Sequence, residues 1–197
     1  MKAGLMAAVI AVAAVIVSAG CSTGANTPQE SNPASPARTA SPIPAVKDPR
    51  DVAALARRPC ELLTAQQATQ FRLDLPPRVY NAALGDVGCA WESTTRERET
   101  VRSVRIDTFI NNPTLEVAYI QDRSRPFFQL TEISGYPAII SRTNADLPIC
   151  DIDVKPAENQ SFSLSYNSKE FENNPQQSCE VAKQVAAAVL MNLPPKS

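Results

Sequence analysis

Residues 174–194 read NPQQSCEVAKQVAAAVLMNLP and carry the signals of one complete helix. Asn174 stands where a cap belongs, Pro175 fits the first turn, and Gln177 follows the cap at capping-box spacing. Cys179, Ala182, Ala186, Val189 and Leu193 recur at intervals of three and four, which places them on one face. Pro194 and Pro195 then stop the helix. A helix with one apolar face needs a surface to cover, and the residues before it supply one.

Phe127–Ile133, Tyr136–Arg142, Ile149–Lys155 and Ser161–Tyr166 are short runs that read as strands. They are separated by Gly135, by Asn144-Ala145-Asp146 and by Pro156-Ala157-Glu158-Asn159, a pattern that predicts an antiparallel meander. Further upstream, Val101–Ile110 alternates, with Val104, Ile106, Thr108 and Ile110 on one side and Arg105, Asp107 and Phe109 on the other. Val87–Ser93 puts Cys89 and Trp91 on one strand face, and the charged turn Thr94–Thr100 makes it the antiparallel partner of Val101–Ile110.

Asn112-Pro113 offers another cap and first-turn proline. Leu115, Ala118, Tyr119 and Asp122 fit a helical period over 113–122 better than Val117, Tyr119 and Gln121 fit a strand. Asp51–Ala56 reads as a short helical lead-in. Thr64 and Gln67 form a capping-box pattern that starts a short helix to about Phe71, with Leu62, Leu63, Ala68 and Phe71 as its buried side. Residues 73–86 read as a loop. Strands lying between helices predict an α+β domain over 50–197: an antiparallel sheet packed by a short N-terminal helix and a longer C-terminal helix.

The chain has five cysteines, and the first has a separate role. Residues 1–20 run from Lys2 through an apolar stretch to Ser18-Ala19-Gly20, just before Cys21. A positive start, an apolar middle and small residues before a cut site describe a secretory signal. The cysteine at the junction makes it resemble a bacterial lipoprotein signal, although Ser18 stands where leucine is usual. The resemblance implies that the Cys21 thiol receives a diacylglyceryl group and that Cys21 becomes the first residue, anchored on the outer face of the cell membrane. Residues 21–49 are rich in Ser, Thr, Pro, Ala and Asn, and read as a disordered tether.

Cys60, Cys89, Cys150 and Cys179 remain for the fold. An even number in an exported chain favours disulfides, and four cysteines allow three pairings. Cys60–Cys89 with Cys150–Cys179 is preferred, because each bond closes one local supersecondary unit. No two cysteines stand in a C-x-x-C arrangement, which argues against metal or redox chemistry.

Composition narrows the function. The chain has no histidine, which excludes Ser-His-Asp and Cys-His catalysis, histidine zinc sites and a histidine pH switch. With 19 basic and 20 acidic residues there is no basic surplus to neutralise phosphates, so nucleic acid is not expected as a partner. No Gly-rich phosphate cradle is present, and no serine sits in a recognisable nucleophile context. No cofactor, metal or catalytic residue is expected.

Several motifs together resemble one known family, the actinobacterial lipoproteins called domain of unknown function 3558. They are Pro59-Cys60-Glu61-Leu62-Leu63-Thr64, the Cys89-Ala90-Trp91 strand, Gly135-Tyr136-Pro137-Ala138, the Cys150 strand, and Cys179 followed by an Ala-rich helix ending at Leu193-Pro194. Their order spans about 58–194. The resemblance implies a cell-envelope lipoprotein of Gram-positive type and implies no activity.

The candidate sites are few. Asp151 and Asp153 point the same way from one strand, with Asp146 nearby; paired carboxylates could bind calcium or serve as acid and base, but the ordinary reading is a solvated strand face, since a calcium loop brings more oxygen ligands. Arg123 and Arg125 flank a loop and could hold a phosphate or carboxylate. Trp91, the single tryptophan, and Phe127-Phe128 beside Pro126 could line a cleft between sheet and helix, or simply belong to the core. The expected role is a non-catalytic, membrane-anchored binding or sensing module for an envelope lipid, glycan or protein. The alternative is a structural or protein-interaction subunit. An apolar cavity would favour binding, whereas an enzyme would show at least two perturbed titratable groups meeting in a pocket.

Overall fold

The computed structural model describes residues 42–82, 87–94, 100–112 and 114–196. The signal sequence, Cys21 and the tether as far as residue 41 lie outside the described residues, as does most of the expected turn after Val87–Ser93. Among the described residues, no helix is long and apolar enough to cross a membrane.

The first elements are short: α1 (Ala53–Ala56), a 3-10 turn (Pro59–Leu62) and α2 (Ala65–Gln70). The expected capping box forms at α2. The Gln67 amide donates to Thr64 Oγ1 at 3.2 Å, and the Thr64 amide donates to Gln67 Oε1 at 2.9 Å. Strands β1 (Arg78–Asn81), β2 (Val87–Thr94) and β3 (Thr100–Ile110) precede α3 (Thr114–Asp122). Strands β4 (Phe127–Ile133), β5 (Tyr136–Arg142), β6 (Ile149–Ala157) and β7 (Gln160–Ser168) follow. A second 3-10 turn (Lys169–Phe171) leads into α4 (Gln176–Asn192).

The seven strands form one antiparallel sheet in the order β1-β2-β3-β7-β6-β5-β4. It consists of two meanders, β1-β2-β3 and β4-β5-β6-β7, joined where β7 returns to pair with β3. The link from β3 to β4 carries α3 across one face of the sheet, where it packs on β5, β6 and β7. Helix α4 packs on β6 and β7 from the opposite face. Strand alternation shows that the faces differ. Ile152, Leu164, Tyr166 and Cys150 share the main core with Cys179, Ala182, Val185 and Val189. Ile139, one residue out of phase, joins Leu115 and Ala118 beneath α3.

Two disulfides hold the sheet to its α4 side. Cys60–Cys89 ties the first 3-10 turn to β2, and Cys150–Cys179 ties β6 to the first turns of α4. In both, the Cα atoms are 5.1 Å apart, within the span a disulfide bridges.

Four expectations change. The loop assigned to 73–86 contains β1, a four-residue edge strand preceded by two prolines and too short for a visible alternation. The break assigned to 156–159 shrinks to Glu158-Asn159. Strands β6 and β7 extend toward it, a register shift after Val154 accommodates Pro156, and Asn159 turns the chain with φ 58°. Asn174 does not cap α4. Pro175 occupies the cap position with no side-chain bond, and Ser178 Oγ instead donates to the Pro148 carbonyl at 2.8 Å. The ordered domain also begins before residue 50. Ile43 is 8% exposed and packs with Leu115, Ala118 and Ile139. The Asp51 amide donates to the Pro194 carbonyl, and the Lys196 amide donates to the Pro49 carbonyl. A tether cannot bury an isoleucine, so its last eight residues belong to the fold.

Candidate functional site

The register of the sheet lays two rows of side chains across the α3 face. Gly88, Asp107, Ser163, Asp153 and Ile139 are successive partners on β2, β3, β7, β6 and β5. Beside them, Ala90, Arg105, Ser165, Asp151 and Ser141 make a second row. Most of these side chains are short, so the floor is low where α3 stops covering it. The result is a groove of about 560 Å³, with Tyr80 of β1 on one side and Val117, Gln121, Asp122 and Arg125 on the other. Lys155 fixes α3 in place: its ammonium meets Glu116 of α3 at 2.8 Å and Glu158 at 2.9 Å.

Tyr80 enters the groove because Gly88 leaves room. A Cβ on Gly88 would stand 2.3 Å from Asp107 Oδ1 and 2.7 Å from Tyr80 Cζ. In that space the Tyr80 hydroxyl donates to Asp107 Oδ1 at 2.6 Å. Burial, reinforced by this bond and by the Asp107 charge, pushes the Tyr80 phenol well above its ordinary value. Gly88→Ala is therefore expected to turn the ring out, bring the phenol titration back toward the tyrosine range, and cost about 1–3 kcal/mol of stability from overpacking. Ultraviolet titration of tyrosine with a parallel urea denaturation checks both effects.

Arg125 holds the far wall. Its Nε pairs with Asp122 Oδ1 at 2.9 Å, and one terminal nitrogen reaches Asp151 Oδ2 at 3.3 Å and Ser141 Oγ at 2.9 Å. The anion that a loop arginine was expected to recognise is thus the protein's own carboxylate pair. Burial pushes the Asp151 carboxyl upward, against hydrogen bonds from Ser165 and Arg125 and the Arg125 charge, with Asp122 adding to the rise. Asp153 is more displaced, at about 6. Burial is the main cause; Ser163 and Arg125 oppose it, and Asp122 and Asp151 reinforce it. A carboxyl raised in the folded state contributes stability that is full below its ordinary value, 3.8, and is lost as pH rises through about 6.

Asp153 is 9% exposed, not the solvated residue its strand position suggested. Ser163 Oγ donates to its Oδ1. Asp146 and Arg123 are exposed and do not line the groove. No three Cys, Asp or Glu side chains stand together as metal ligands among the described residues.

The aromatic residues expected at a cleft lie elsewhere. Trp91 is 1% exposed, inside the main core on the opposite sheet face. Phe127 packs against that same core. Phe128 packs against the small cluster under α3, edge-to-face with Tyr119 at 5.6 Å between ring centroids. The groove mixes apolar residues such as Phe109, Val117 and Leu164 with polar ones, and it brings two displaced carboxyls together. Tyr80, Asp107, Ser163 and Ser165 complete it without having stood out in the sequence. The alternation of β3 did place Asp107 opposite its apolar face, but only the β3–β7 pairing assembles the site.

The family model that matches this chain is described as protein of unknown function (DUF3558), and the match covers residues 16–192. No curated protein and no solved structure matches the chain.

Proposed function

We propose, for a chain that belongs to the DUF3558 family of proteins of unknown function, that the groove on the α3 face binds a ligand and that the protein is a non-catalytic binding or sensing module. In this reading, a lipid on Cys21 anchors it to the outer face of the cell membrane, and the ligand belongs to the cell envelope. The observation that carries the reading is the groove itself, about 560 Å³ of open space over a floor of acceptors and hydroxyls. That volume suits a small molecule or one unit of a polymer.

A second reading, catalysis by the Asp151–Asp153 pair, is favoured by the upward displacement of both carboxyls in one groove. Binding is preferred because Asp151 is already engaged by Arg125 and Ser165, which leaves it poorly placed to take a proton from substrate or water.

Native mass spectrometry of the protein extracted from its own membrane in mild detergent tests the binding reading. The expected spectrum shows the lipidated, two-disulfide chain with a mass excess that leaves on activation. A clean lipidated chain would overturn the reading, and a co-purifying protein in its place would establish an interaction subunit.

A further inference from the structure

We propose that the chain has a second binding site, on the α4 face of the sheet, which takes a small molecule with one carboxylate on an apolar body. The site is a pocket of about 380 Å³ between the end of α2, the second 3-10 turn and the first half of α4. Its floor holds Arg102 and Tyr166, which are in phase with Val104 and Cys150 of the main core. It therefore opens on the opposite side of the sheet from the groove, and the proposal does not rest on the reading of that groove.

Arg102 is 5% exposed, and a buried charge needs partners. Its Nε donates to the Tyr166 hydroxyl at 3.0 Å, one terminal nitrogen to the Arg72 carbonyl at 3.1 Å, and the other to Glu170 Oε2 at 2.5 Å. A guanidinium has five N–H donors, so two remain after these three bonds. Ser93 and Ser168, the cross-strand neighbours of Arg102 on β2 and β7, do not take them up. Both hydroxyls are buried, and among the described residues neither has a hydrogen-bond partner.

Arg72 brings a second guanidinium to the same pocket. It follows α2 with φ 55°, the left-handed conformation in which glycine is the ordinary residue. A glycine there would still offer the carbonyl that Arg102 uses. What the arginine adds is its side chain, which is 75% exposed and, among the described residues, pairs only with Glu170 Oε1, at 3.7 Å. An exposed pair at that distance contributes little to stability. Two guanidinium groups thus share one carboxylate, supplied by a three-residue turn, and the lining of the pocket keeps one positive charge in excess.

That excess selects among ligands. A cation would be repelled, and a neutral molecule would leave the charge unbalanced. A carboxylate matches the planar fork of a guanidinium and can accept from the remaining donors of Arg102 beside Glu170. Phe71, Phe171 and Val181 line the same pocket, so the body attached to the carboxylate is apolar. A bare inorganic anion would leave those side chains uncovered.

Proton–nitrogen NMR of the arginine Nε–Hε signals in the full chain provides the test, with the two residues assigned through Arg72→Gln and Arg102→Lys. The probes are phenylacetate, its neutral counterpart 2-phenylethanol, and inorganic phosphate, each compared with sodium chloride at equal ionic strength. Phenylacetate is expected to shift both signals to saturation, and the other two to leave them in place. Arg102→Lys risks the fold, but Arg72→Gln keeps the carbonyl that Arg102 needs and is expected to fold and to bind phenylacetate about fivefold more weakly. Glu170→Gln removes the competing charge and is expected to tighten binding by about threefold; a pocket in which Arg102 only braces the turn predicts no gain. Unmoved signals, equal effects of acid and alcohol, or unchanged affinity in Arg72→Gln would overturn the inference. Phosphate binding as tightly as phenylacetate would overturn the apolar body.

Discussion

Trp91→Ala is expected to lower the unfolding free energy by about 3–5 kcal/mol and to leave the passenger of the folded fraction unchanged. Trp91 sits on β2 in the row Trp91, Val104, Tyr166 and Cys150, which runs across four strands on the α4 face. It is the bulkiest of the fully buried side chains. Truncation removes a large apolar surface and leaves a cavity that α4 and its disulfide are too constrained to fill. The groove lies on the other face, where Arg105 and Ser165 occupy the alternate positions of β3 and β7. Urea denaturation followed by circular dichroism gives the stability change, and native mass spectrometry gives the passenger. Trp91→Phe, which keeps much of the volume, is expected to lose less than half as much. A loss under about 1 kcal/mol for the alanine variant, together with loss of the passenger, would place Trp91 at a ligand site.

Trp91 also illustrates what the sequence makes legible. Its alternation with Cys89 on one strand face, and the disulfide there, mark that face as core. Reading the lone tryptophan as a cleft residue gives aromatic character more weight than strand phase. The amphipathic face of α4 is legible for a related reason: Cys179, Ala182, Ala186, Val189 and Leu193 are all buried, since one continuous segment supplies the whole pattern. The Thr64–Gln67 box is legible because both partners lie within one turn.

The groove is assembled by a different kind of information. Asp107 and Asp153 each look like ordinary polar residues on a strand, because alternation assigns a face but not a neighbour. They enter one row only through Ser163 of β7, and the β3–β7 pairing spans a separation that local periodicity does not report. The burial of Asp153 follows from that row and from α3 crossing above it. Gly88 is similar: in the sequence it is a glycine near a loop, and its role appears only when Tyr80 is found lying where a Cβ would stand. Ile43 was visible as an apolar residue in a polar stretch, but its partners, Leu115, Ala118 and Ile139, are distant in sequence.

Replacing Cys150 and Cys179 together by alanine is expected to cost about 3–4 kcal/mol by chain entropy alone, for a closed loop of about 30 residues. Cys60–Cys89 has the same sequence separation, 29, so the entropic effect of removing either bond is the same. The two differ in what they hold. Cys150 and Cys179 are both fully buried between β6 and α4, whereas Cys60 lies at the margin of the core. Loss of the second bond therefore also loosens the helix that covers the main core, and the Cys150→Ala/Cys179→Ala pair is expected to be the less stable of the two double variants. Urea midpoints at matched slope measure the ranking. Hydrogen exchange locates the cause: α4 amides should lose protection when the Cys150–Cys179 bond is removed and keep it when Cys60–Cys89 is removed. With both bonds absent, the combined loss of about 7 kcal/mol is comparable with the total stability of a typical domain, about 5–15 kcal/mol. A reducing environment would then leave the chain close to unfolding. If the double variant at Cys150 and Cys179 lost less than about 1 kcal/mol, the apolar face of α4 would suffice to dock it without the bond.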